Sequence, residues 1–194
     1  IILTADHGDE FFDHGHRFHG STLYEEMTHV PLLMRMPGID SRRLTTPVGH
    51  IEVAPTVLEL LGEVVPQRFL GRSRADEIRT GEPALDQDVF FEVFPDSNYD
   101  GHQVGMRSGD LKLIYRLSEN YFELYDLAAD PVERKNIYDV HPQASALTQR
   151  LLAYADHHLY ALSRGKSGAR LPAGSPDPKR ARKKTSRKKK RRQK

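Results

Sequence analysis

Ile1-Ile2-Leu3-Thr4-Ala5-Asp6-His7-Gly8-Asp9-Glu10 opens the chain, and its reading governs everything that follows. An apolar, β-branched run ending in Asp-His-Gly predicts a buried strand over residues 1–5. In open α/β folds ligands sit beyond the carboxyl ends of parallel strands, which is where Asp6 and His7 then fall. Neighbouring side chains on a strand point to opposite faces, so both reach one ion only where the strand breaks into a turn. Gly8 supplies that break. Carboxylate oxygen with imidazole nitrogen is a metal-binding pair. Read against it, the plain alternative is a solvated turn that happens to hold a histidine. Asp13, His14, His16 and His19 follow, placing four of the ten histidines in the first nineteen residues. A chain that starts inside its own site leads us to expect a front half upstream of Ile1.

Length and composition set the outer bounds. The 194 residues suffice for a domain with a real core. No apolar stretch is long enough to span a membrane as a helix, and no charged-then-apolar leader is present. The absence of cysteine excludes disulfides, thiolate nucleophiles and cysteine-bound zinc. The net charge of +2 hides two different objects. All 27 acidic residues precede residue 179, where 17 basic ones face them, and the other 12 of the 29 basic residues crowd into 179–194. An acidic body thus carries a strongly basic tail.

Outward from the opening, residues 6–22 read as a polar loop, 23–27 as a short helix and 30–36 as a strand with Pro31 at its edge. Ala54, Val57, Leu58 and Leu61 recur at helical spacing, with Pro55 in the first turn and Gly62 at the stop. Residues 63–87 carry mostly loop signals. Residues 89–94 predict a strand, 103–107 and 111–116 a hairpin turned at Gly109-Asp110, and 122–127 a third strand beside them. After Pro142 a second helix shows one stripe of Ala144, Leu147, Leu151, Tyr154 and His158. Residues 163–178 are rich in Gly, Pro and Ser, and the last sixteen are almost wholly Lys and Arg, so neither part folds alone. The expected fold class is α/β: the end of a main sheet domain over 1–87, then a small antiparallel α+β subdomain over 88–162 and a disordered tail over 163–194.

His14 and His16 have HxH spacing, which recurs in metal sites and also arises by chance. His19 precedes Gly20, where a backbone kink aims an imidazole at the same pocket, suited to an anionic substrate or a leaving oxygen. Taken singly, each reads more simply as a loop histidine. Their order with later blocks is what gives them weight. Asp6-His7-Gly8, Asp13-His14-Gly15, Thr22-Leu23-Tyr24-Glu25-Glu26 and Val30-Pro31-Leu32 come in sequence, followed by Pro37-Gly38. His50-Ile51-Glu52-Val53-Ala54-Pro55-Thr56, Lys112-Leu113-Ile114, Glu123-Leu124-Tyr125-Asp126-Leu127, Asp130-Pro131, Glu133 and Asn136 then follow. Together they resemble the sulfatase family of the alkaline phosphatase superfamily, over roughly residues 1–155.

That resemblance implies an alkaline-phosphatase-like fold and metal-dependent hydrolysis of sulfate esters. It assigns Asp6 and His7 to one divalent cation, Ca2+ first, with Mn2+ or Mg2+ as alternatives. The family's sulfate-binding lysine is missing ahead of Thr22-Leu23-Tyr24-Glu25-Glu26, and His19 takes its neighbourhood. His19 is therefore the expected contact to the sulfate or leaving oxygen, with His14 and His16 lining the mouth. The family's nucleophile is a formylglycine made in a C/S-x-P-x-R motif, which this chain does not contain. The resemblance thus places the nucleophile in a missing N-terminal half and implies that this part is inactive alone. A phosphodiester or phosphonate monoester hydrolase of the same superfamily fits the Asp-His pair and the absent lysine as well. The basic tail supports a different class, a non-catalytic polyanion-binding protein, by non-specific charge attraction. Export to the periplasm or beyond is the family's habit alone, and the residues fix no oligomeric state.

Overall fold

The computed structural model describes residues 1–83, 88–95 and 101–165, with backbone alone for 158–165. Strand β1 (Ile2–Thr4) runs into the site turn, and strands β2 (Glu10–Phe11) and β3 (Arg17–Phe18) form a small ribbon. Helix α1 (Glu25–Thr28) is a single turn, and strand β4 (Leu32–Met34) returns antiparallel to β1 with Leu3 opposite Leu33. A 3-10 turn at His50–Glu52 leads into α2 (Val53–Leu60). The Glu52 carboxylate accepts the Gly49 N–H at 3.0 Å and so satisfies one orphan donor of that turn.

The opening strand departs from expectation in two respects. β1 pairs antiparallel, and it is not buried: Ile1 is 86% and Leu3 59% exposed. Its apolar residues have β4 as their one strand neighbour among the described residues, and all three residues of the strand are exposed. Residues 63–87 likewise hold more than loop. Helix α3 (Ala75–Thr80) lies there, fixed by a contact that no local pattern encodes. Buried Arg74 grips Glu52 with two donors, Nε to Oε1 at 2.9 Å and Nη2 to Oε2 at 3.1 Å. Its backbone N–H donates to Thr56 Oγ1 at 2.9 Å.

The sheet expected near residues 89–127 is present. Strands β5 (Val89–Val93), β6 (Gln103–Ser108), β7 (Leu111–Arg116) and β8 (Tyr121–Asp126) form an antiparallel meander in that order. Gly109 turns the β6–β7 hairpin at φ 58°, where a side chain would be strained. Helix α4 (Ala144–Gly165) covers one face. Ala144, Leu147, Leu151 and Ala155 pack on Val104, Met106, Leu113, Tyr115 and Leu124, and Tyr154 stacks on Phe90 at 4.0 Å. Each fully buried leucine there contributes about 1.5–3 kcal/mol. His158 of the expected stripe lies outside the described side chains, as does the basic tail from residue 166 on.

The opposite face is covered too. Ile114, Tyr125 and Leu127 pack against Leu23 and Tyr24, just ahead of α1. This double burial is why residues 112–115 of β7 are all buried. It also presses the site-bearing N-terminal segment onto the sheet.

Candidate functional site

Three side chains of the opening segment converge after β1. The His7 N–H donates to Asp6 Oδ1 at 3.1 Å and tightens the turn that Gly8 completes. His7 Nδ1 lies 2.9 Å from the Gly8 carbonyl, an obligate acceptor, so Nδ1 carries a hydrogen. His19 Nδ1 is 2.8 Å from Asp9 Oδ1, which fixes a hydrogen on Nδ1 there too. The His7 and His19 rings lie with centroids 4.3 Å apart, tilted by 30°. His7, Asp9 and His19 each offer a ligand atom, all within 4.8 Å of one another. An imidazole oriented by a carboxylate is a common support for a bound ion.

Asp6 sits at the rim, 89% exposed, with Oδ2 3.7 Å from His7 Nε2. Backbone hydrogen bonding at Asp6 itself, then the neighbouring His7 charge and N–H, hold its carboxyl below the usual range. The turn is pinned from behind, where the Gly8 N–H donates to the Met27 carbonyl at 2.9 Å.

Two of the expected pocket residues lie apart from this cluster. His14 turns away from the cluster: Nδ1 sits 2.5 Å from Glu26 Oε1 and Nε2 3.3 Å from the Glu133 carbonyl. Its ring stacks on Tyr24 at 3.7 Å. The cause is the β2/β3 ribbon, which carries residues 12–16 away from the site as its tip. His16 is exposed at that tip, where its carbonyl accepts the Phe12 N–H. At the ribbon's other end, buried Glu10 accepts from the Thr22 hydroxyl.

Asp9 stands two residues after His7, and the ribbon's register is what brings it His19 as a partner. Behind the site lies a buried charge network. Lys112 Nζ, fully buried, contacts Glu25 Oε1 at 2.9 Å, Thr28 Oγ1 at 3.0 Å and Glu133 Oε1 at 3.0 Å. The Glu133 carboxylate also accepts the Glu25 N–H at 2.5 Å, capping α1. Burial pushes the Glu133 carboxyl upward against the pull of Lys112. Burial likewise pushes the Tyr24 phenol up to about 12, so its hydroxyl stays neutral while it contacts Glu123 Oε2 and Arg116 Nη2.

Comparison with known proteins places this geometry. The family model described as "N-sulphoglucosamine sulphohydrolase, C-terminal" matches residues 11–158. The chain is 32% identical over 148 residues to the Delta 4,5-hexuronate-2-O-sulfatase of Bacteroides thetaiotaomicron, covering 71% of this chain and 30% of that protein. Against Arylsulfatase K of Bos taurus it is 30% identical over 163 residues, covering 78% of this chain and 30% of the relative. A solved structure in complex with its substrate D-glucosamine-2-N,6-O-disulfate superposes with a TM-score of 0.71 at 26% identity, over 82% of this chain and 34% of that one. The chain therefore spans about a third or less of the length of these proteins. The fold is the alkaline-phosphatase-like α/β fold of those sulfatases. From matched blocks, fold and family model together, the chain belongs to the N-sulphoglucosamine sulphohydrolase C-terminal family of sulfatases.

Proposed function

We propose that this chain supplies one wall of a sulfatase active site, in an enzyme that hydrolyses sulfate esters of a sulfated saccharide. The observation that carries the reading is His19, held by Asp9 at 2.8 Å with its ring 4.3 Å from that of His7. The saccharide comes from the relatives, one a hexuronate 2-O-sulfatase and another solved with a disulfated glucosamine.

In this reading Asp6 and His7 hold the divalent metal, and the ion would draw charge off the sulfate oxygens. Of the two, His7 lies in the convergent set with Asp9 and His19, while Asp6 stands at its rim beside His7. Ca2+ is the first candidate, and the single His7 nitrogen makes the site friendlier to Mn2+ than an all-oxygen shell would be. The His19 Nε2 edge contacts the sulfate or leaving oxygen, while Asp9 keeps that edge presented and stabilises positive charge on the ring. The nucleophile, a formylglycine, comes from residues outside this chain. Residues 1–87 carry the site, 88–162 brace it from behind, and the tail over 163–194 meets polyanions by charge alone.

The test uses the enzyme that carries the nucleophile. His19→Ala is expected to lower kcat/KM on an aryl sulfate by about 100- to 10,000-fold, the usual contribution of a positioned proton-transfer group. Unchanged turnover would sink the assignment. The nitrogen-rich site without a lysine favours one second reading, a phosphonate or phosphodiester hydrolase. Faster turnover of an aryl phosphonate than of the matching sulfate would establish it.

A further inference from the structure

We propose that His14 is held as an imidazolium that clamps the β2/β3 ribbon onto the junction between α1 and the turn after β8, and so positions Asp9 and His19. The argument begins with what each neighbour can accept. Glu26 Oε1, 2.5 Å from Nδ1, belongs to a carboxylate, and the Glu133 carbonyl oxygen, 3.3 Å from Nε2, has lone pairs alone. A neutral imidazole has one N–H, so it would set lone pair against lone pair at one of the two contacts. The doubly protonated ring makes both.

The surroundings hold that charge in place. His14 and Glu26 side chains are 14% and 17% exposed, so water screens the pair little. Tyr24 lies flat against the ring, and its hydroxyl is already engaged by Glu123 and Arg116. The Glu133 carboxylate, the remaining anion nearby, is turned to Lys112 and the Glu25 N–H. Burial works against the charged ring, and the hydrogen bond and attraction of Glu26 overcome it, holding His14 above its ordinary range.

The ribbon transmits this anchor. Its register pairs Glu10 with Phe18, so Asp9 just before and His19 just after stand together at the open end while His14 is fixed near the tip. Phe12, at the tip, adopts left-handed backbone at φ 73° although its ring is exposed. Bulky residues persist in that region only where their surroundings over-determine them. Burial of the Phe12 ring does not do so here, and the His14 contacts two residues on do.

The ionisation stands on contacts alone, whereas its importance for catalysis rests on the sulfatase reading. Long-range proton–nitrogen NMR of the full 194-residue chain tests the two separately. In the wild type both His14 nitrogens are expected in the protonated range at pH 7.5, titrating above the same residue in the urea-unfolded chain. Glu26→Gln keeps the shape and removes the charge, so it should bring the titration down. The amide signals of Asp9 and His19 should shift in step with His14, at its midpoint in each protein. His14→Gln should speed amide exchange across residues 9–19 by about tenfold, a loss of local protection. Two results overturn the imidazolium: a lone pair on Nδ1 with the proton on Glu26, or a midpoint that Glu26→Gln does not move. Asp9 and His19 signals blind to the His14 titration overturn the positioning. Neither outcome touches the sulfate ester assay, which judges the sulfatase reading by itself.

Discussion

At Gly8 the site turn runs so close to α1 that a Cβ would fall 1.9 Å from the Glu26 carbonyl oxygen, a backbone atom that cannot swing aside. Gly8→Ala should therefore destabilise the chain by about 3 kcal/mol, read as a shift in urea midpoint at unchanged m. Asp9→Asn keeps the shape of the His19 contact and removes its charge. In the enzyme that carries the nucleophile, kcat/KM on an aryl sulfate should fall about 10- to 100-fold as His19 loses its supporting carboxylate. His14 gives stability a sign with pH. Its folded value is raised above 6.5, so its contribution is complete below 6.5 and is lost as pH rises through the folded value. Wild-type Tm is expected to fall from neutral to weakly alkaline pH by more than that of His14→Gln, and parallel curves would refute the linkage. The turn at Asp6-His7-Gly8 was legible because its glycine and a family block mark it. The role of His14 was not, since HxH spacing does not encode which way a ribbon tip faces.

Single elements show how distant contacts complete what local sequence leaves marginal. Helix α1 has four residues, far below the length at which an isolated helix is stable in water. It survives because Glu133, 108 positions away, caps its Glu25 N–H, and because Lys112 ties Glu25 to β7. Glu133→Ala strips that cap and leaves buried Lys112 short of one carboxylate. We expect a cost of about 3–5 kcal/mol in a denaturation midpoint, and a change under 1 kcal/mol would show the pair to be dispensable. The β6–β7 hairpin and α4 were legible from alternation, the Gly109 turn and helical spacing, all local properties. Helix α3 was not. Its anchor, Arg74 on Glu52, joins residues 22 apart in sequence that share no periodic pattern.

Over the whole molecule, the meander and α4 make a covered core, while the β1/β4 pair keeps an uncovered apolar face. Ile1, Leu3 and Leu33 are exposed together, next to a groove lined by Ile2, Met34, Ile39, Val57 and Leu60. Contiguous apolar surface of this kind marks an interaction face or an aggregation hazard. The chain alone should raise ANS fluorescence, and Leu3→Lys with Leu33→Lys should remove most of that signal without lowering Tm. An unresponsive dye would show the face to be covered. No helix among the described residues is long and apolar enough to cross a membrane.

The sequence by itself determined the elements whose signals are local: the hairpin and its turn, the stripe of α4, and the Asp-His-Gly break with the ordered blocks that mark the family. Turn chemistry and hydrophobic period act within a few residues, so they can be read along the chain. Tertiary structure alone decided the partners. It gave His19 to Asp9 through ribbon register, sent His14 to Glu26 and the Glu133 carbonyl, and let Lys112 and Glu133 hold α1. Those choices depend on residues ten to more than a hundred positions apart meeting in a low-dielectric junction, where charge pairing is strong and sequence distance carries no weight.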